Sequence, residues 1–249
     1  MTSRADIGFD DRRARWNAII LSVTQALYGC STVVLIATGG LVGTTLAHDR
    51  GLATLPITMF VIGTALTTIP ASLLMRRIGR RAGFILGAAA GALGAVVCAY
   101  AIHIGHFWLF AGAALLQGVY QAFSQYFRFA AADLASPAFR PKAISWVLAG
   151  GIAGALFVPG IIALTKDVFG PALFIGTYLF SALTALVSIG VLMLLDTPPI
   201  SRKDAEGPSR PLPQILRQPR LIAAMLAGMT AYGVMNFVMT ATPIAMVDC

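Results

Sequence analysis

The chain has 249 residues, 57% of them hydrophobic and only 11% charged, whereas soluble domains carry about 25% charged residues. With a mean hydropathy of +0.80, this composition excludes an ordinary water-soluble fold. The net charge of +8 raises the question of nucleic acid, but the basic residues fall between long apolar runs instead of clustering with aromatics, which points to membrane topology and to no nucleic-acid partner.

Residues 1–16 form a basic N-terminal arm. The first apolar segment, Asn17–Gly43, is too long for a signal-peptide core and lacks a cleavage-like flank, so it is expected to persist as a helix. Six further segments follow: Ala53–Leu74, Ala82–Ile102, Phe107–Ala132, Ala143–Thr165, Pro171–Leu195 and Leu221–Val247. Each is near the roughly 20 residues that a helix needs to cross a bilayer core. Barrel strands would alternate over about ten residues, and these runs do not. Between the sixth and seventh spans, Asp196–Arg220 is rich in Pro, Ser, Gly and mixed charge and reads as a linker, with a short amphipathic stretch at Pro213–Arg217. The predicted fold is an all-α integral membrane protein. It has a six-helix bundle over 17–195, a linker over 196–220 and a seventh span within 221–249.

Orientation follows from the loops. Arg4, Arg12, Arg13 and Arg15 precede the first span, and Arg76, Arg77, Arg80 and Arg81 join the second to the third. Arg140 and Lys142 precede the fifth, and Arg202, Lys203, Arg210, Arg217 and Arg220 precede the seventh. All fall on one side, against only Arg50 and Lys166 on the other. The positive side is expected to be cytoplasmic, in a bacterial inner membrane. Cys30 and Cys98 lie inside apolar runs and Cys249 is the last residue. Their spacing fits neither a metal site nor a redox pair, and no metal or cofactor is expected.

Ser72–Arg81, SLLMRRIGRR, resembles the signature loop between helices two and three of the major facilitator superfamily. Arg77, Gly79, Arg80 and Arg81 match its pattern. Ser72 replaces a glycine, and Arg76 stands where an acidic residue is usual, so the local charge network must be rearranged. Asp133 and Arg140 in DLASPAFR are similar to the family's acid-to-arginine loop after helix four. The resemblance implies a cytoplasmic gate built from Arg76, Arg77, Gly79, Arg80, Arg81, Arg128, Asp133 and Arg140. GGIAGALFVPG in the fifth span resembles the Gly/Pro-rich motif of family antiporters but lacks its closing glycines. Gly150, Gly154 and Pro159 there, and Gly83, Gly87 and Gly91 in the third span, read as close-packing positions.

The same resemblance implies solute bound between two six-helix halves, with inward polar residues of helices one, four and seven lining the cavity. Polar groups facing lipid are costly and should turn into the bundle. On the first span Gln25, Tyr28 and Thr32 share a face; on the seventh, Tyr232, Asn236 and Thr240 do. The fourth span carries a polar stripe of Gln117, Gln121, Ser124, Gln125 and Arg128 within an arc of about 100°. Counting about 1.5 Å per residue from Phe107 puts Gln117 near the bilayer middle and Arg128 close to the inner surface. Gln25, Tyr28, Gln117, Gln121, Gln125 and Asn236 are therefore the cavity candidates, and Arg128 belongs to the gate.

No span holds a central Asp or Glu, so a proton relay is not evident. Facilitated diffusion, coupling through further helices and loss of transport all stay open. The loops are too short for a catalytic domain, and no enzyme constellation is present. The expected function is movement of a small organic solute by alternating access, the chain being a shortened copy that stops as its seventh span ends. The alternative is a non-transporting remnant, or a half that needs a second transporter half as partner.

Overall fold

The computed structural model describes residues 11–170, 172–197 and 218–248, and the described residues are helical apart from short connections. In chain order the helices are α1 (Asp11–Leu46), α2 (Leu55–Ile78), α3 (Arg80–His103), α4 (Phe107–Ser124), α5 (Phe127–Asp133), α6 (Arg140–Thr165), α7 (Ile175–Leu192) and α8 (Pro219–Asp248). A single 3₁₀ turn, Arg50–Leu52, lies between α1 and α2. Six of these helices are long and apolar enough to cross a membrane, and the chain is an all-α, multi-pass membrane protein.

Contacts divide the chain into two units, Met1–Pro199 and Ile200–Cys249. The first contains α1 to α7. The second is described by α8 alone, which begins at Pro219; most of the expected linker, including Pro213–Arg217, lies outside the described residues. The predicted arm is partly helix, because α1 starts at Asp11 and reaches about 54 Å at 1.5 Å per residue. The sixth span is shorter than expected, with helix only over Ile175–Leu192.

The fourth span corrects a sequence expectation. It is not one helix over Phe107–Ala132 but α4 and α5, separated by Gln125 and Tyr126. There the Tyr126 N–H bonds to the Phe123 carbonyl, three residues back (3.1 Å), before normal bonding resumes from Ala130 to Tyr126. The Tyr126 hydroxyl donates to the Thr68 carbonyl of α2 at 2.8 Å, which fixes the tightened turn against its neighbour.

Helix pairs meet with little between their backbones. α1 and α6 approach where a Cβ on Gly150 would collide with the Ser22 carbonyl, and one on Gly154 with that of Ala26. Ser22 Oγ donates to the Trp146 carbonyl across the same seam at 2.7 Å. α2 and α4 meet through Gly118, whose Cβ would strike the Phe60 carbonyl. On α3, Gly87 and Gly91 seat Phe123 and Tyr120 of α4, while Gly83 seats Met75 across the α2–α3 turn. α6 runs through Pro159 without interruption.

Two buried clusters fill the first unit. One is built around Leu21, Phe84, Phe127 and Leu195, the other around Val34, Phe60, Phe110 and Tyr178. Leu156 and Leu164 remain 75% and 80% exposed, an arrangement that suits hydrocarbon and not water. Replacing Gly154 or Gly118 by alanine should cost about 1–3 kcal/mol through overpacking, read as a lowered unfolding temperature in detergent. Gly112→Ala is the control, since a Cβ there meets nothing within 4 Å, and its unfolding temperature should not fall.

Candidate functional site

The ends of α1, α2, α3, α5, α6 and α7 that carry the arginines are tied together. Gly79, the single residue between α2 and α3, has φ 93° and ψ 155°, a conformation open essentially to glycine alone. Its N–H bonds to the Met75 carbonyl at 3.0 Å. This tight reversal brings Arg80, at the start of α3, onto Asp133 at the end of α5, where the two form an ion pair. Arg13 reaches Asp196 at 3.4 Å. Asn17 clamps the same residue through its backbone, donating to the Asp196 carbonyl at 2.7 Å and accepting from its N–H at 3.1 Å. Arg15 stacks over the Phe139 ring, 5.7 Å from its centroid.

These contacts redistribute the predicted gate. Asp133 pairs with Arg80 and not with Arg128 or Arg140. Arg140 uses Nε to bond the Ala135 carbonyl at 3.2 Å, closing the loop before α6. Arg128 donates to Gln125 Oε1 at 3.4 Å and lies over the Phe129 ring, 5.0 Å from its centroid. Arg76, Arg77 and Arg81 are exposed. The two resembling loops are therefore joined to each other by Arg80 and Asp133.

The cavity candidates fall into two groups. Gln117 is 3% exposed and Tyr28 is 5% exposed, so both point inside the first unit. Ser31 Oγ donates to Gln117 Oε1 at 3.4 Å, and the Tyr28 ring meets Tyr120 edge to face at 4.9 Å. Gln25, Gln121 and Gln125 are only half-buried. The Gln25 amide lies over Gly151 of α6, and Gln121 Oε1 is enclosed without a hydrogen bond. The stripe on the fourth span is thus split, with Gln117 turned inward and Gln121 and Gln125 towards its edge. On α8, Asn236 is half-buried and donates to its own helix at the Tyr232 carbonyl, 2.9 Å away.

One arrangement escaped the sequence reading. All of the buried polar residues among those described lie on α1, α4 and α7: Asn17, Thr24, Ser31 and Thr38; Gln117 and Ser124; Thr177, Ser181, Thr184 and Ser188. On α1 they recur every seven residues, the spacing of a packed seam, and this recurrence was the available signal. Ser31 and Ser181 share a 2.5 Å hydrogen bond, and Thr38 donates to the Tyr178 hydroxyl at 3.2 Å. Thr24 and Ser124 bond instead to carbonyls of their own helices.

Against this geometry, the sequence profile described as the Major Facilitator Superfamily matches residues 21–247. The chain belongs to the Major Facilitator Superfamily, a family of membrane transporters and not of enzymes. It is 42% identical over 241 residues to the riboflavin transporter RfnT of Brucella anthropi, covering 96% of this chain and 60% of that protein. It is 26% identical over 244 residues to YddS, an uncharacterized MFS-type transporter of Bacillus subtilis, covering 91% of this chain and 56% of the relative. YdeG, of the same organism and description, is 25% identical over 182 residues, covering 72% and 42%. The chain spans at most about 60% of the length of these relatives.

The Arg80–Asp133 pair is partly solvated, its side chains 39% and 62% exposed, and pairs of that kind contribute about 0–1 kcal/mol. Asp133→Asn should therefore leave the unfolding temperature nearly unchanged while speeding amide hydrogen exchange at the start of α3 and the end of α5. The double exchange Arg80→Asp with Asp133→Arg should restore slow exchange. Equal rates in all three proteins would show that the pair does not hold these helix ends.

Proposed function

We propose that this chain forms the N-terminal six-helix unit, and the helix after it, of a secondary transporter that moves a flavin-like planar solute by alternating access. The observation that carries the reading is the 42% identity to a riboflavin transporter along 96% of the chain. The site chemistry is compatible with it. Gln25, Gln121 and Gln125 are half-buried amides on α1 and beside the α4–α5 break, and an amide side chain can pair donor and acceptor with the imide edge of a flavin ring. Gln117 and Tyr28 are enclosed within the first unit.

In this reading the Arg80–Asp133 and Arg13–Asp196 contacts act as an inner latch. Their modest strength suits a contact that must open and close on every cycle. The basic end faces the cytoplasm of a bacterial inner membrane, with the N-terminus inside, because cytoplasmic loops carry the excess of arginine and lysine.

The test is uptake of labelled riboflavin by riboflavin-auxotrophic bacteria expressing the reading frame that carries this sequence. Saturable uptake is expected, and its absence would overturn the reading. Gln121→Ala and Gln125→Ala should each raise KM up to about tenfold, the scale of one lost hydrogen bond. In a cysteine-free background, cysteines at 121 and 125 should react with aqueous thiol reagents while a cysteine at 117 stays protected.

A further inference from the structure

The polar seam of α1, α4 and α7 leaves some of its own hydrogen bonds unmade. Gln117, 3% exposed, accepts from Ser31 through Oε1 while Nε2 has no partner. Turning the amide over only exchanges the two atoms, so one end stays open in either assignment. Tyr120, one turn further along α4, is completely buried, and so is Ser188 of α7. Neither hydroxyl has a hydrogen-bond partner among the described residues. α1 closes the third side through Ser31 and the Tyr28 ring. Buried polar atoms without a partner are rare in folded proteins, and surrounding hydrocarbon offers no substitute.

We propose that ordered water is bound inside the first unit, at the free end of Gln117 and against the unpartnered hydroxyls of Tyr120 and Ser188. Water is small, neutral and both donor and acceptor, which matches an open amide end and two unpartnered hydroxyls. A buried water makes about 2–4 hydrogen bonds. Gln117 Nε2 and the remaining lone pairs of Ser31 and Ser181 supply them at one position. Tyr120 and Ser188 supply two at the other. The spanning parts of α1, α4 and α7 contain no Asp or Glu, so a metal cation would meet only uncharged groups. The bound water completes the seam without introducing charge, and the three helices then behave as one body.

Radiolytic hydroxyl labelling of the purified chain in nanodiscs, in ¹⁸O-water, tests this, because a buried side chain takes label only from water bound beside it. Tyr178 is the internal control: it too is completely buried, but its hydroxyl is partnered by Thr38. Tyr120 should be labelled several-fold more than Tyr178. Ser188→Ala should reduce the labelling of Tyr120 while helical circular dichroism is unchanged. Equal labelling of the two tyrosines would overturn the proposal. So would labelling of Tyr120 that falls as sodium replaces a large organic cation at constant ionic strength, since an ion would then occupy the place given to water.

Discussion

Inside a bilayer, bringing two apolar helix faces together removes no surface from water, so the usual driving force of folding is missing between the helices of this chain. What remains is close approach and hydrogen bonding. Gly150 and Gly154 let α6 lie against the α1 backbone, Gly118 does the same for α4 against α2, and Gly87 and Gly91 accept aromatic rings from α4. The hydroxyls and amides of α1, α4 and α7 supply the rest. Large side chains are left for the outside, where Leu156 and Leu164 face away from the unit.

That division separates two jobs which the sequence places on the same helix. The fourth span carries polar residues that hold the unit together and others that are only half-buried. Gln117 belongs to the first kind, through Ser31 and Ser181; Gln121 and Gln125 belong to the second. Under the proposed alternating-access cycle the unit would move as a rigid body, with an interior that does not rearrange when the solute arrives. Neutral hydrogen bonds, which create no buried charge, meet that need at low cost in desolvation.

The architecture was legible because membrane spans write long apolar runs into the sequence and arginines mark the loops. The turn at Gly79 was legible for a similar reason, since only glycine suits its backbone. Which polar residues face each other was not. Gln117 and Gln121 differ by about 40° around a helix, and that angle decides between burial against Ser31 of α1 and a half-buried position; nothing in one sequence sets the rotation of a helix against its neighbours. The partner of Asp133 was hidden likewise. Arg80, Arg128 and Arg140 were all available to it, and only the fold brings Arg80 there. The seven-residue recurrence Asn17, Thr24, Ser31, Thr38 was visible in the letters, but small polar residues in an apolar run draw less attention than glutamine or arginine.

The tightened turn at Gln125 and Tyr126 has a consequence for the pitch of the fourth span. A 3₁₀ step advances about 120° per residue against about 100° in an α-helix, so even one such step twists everything after it by about 20°. The part of the span before the turn keeps the phase of the seam, whereas the part after it, with Arg128 and Asp133, is indexed to the loops. The span works as two segments coupled at a splined joint, pinned to α2 by the Tyr126 hydroxyl. Winding or unwinding that joint would turn the second segment while the first stays in register.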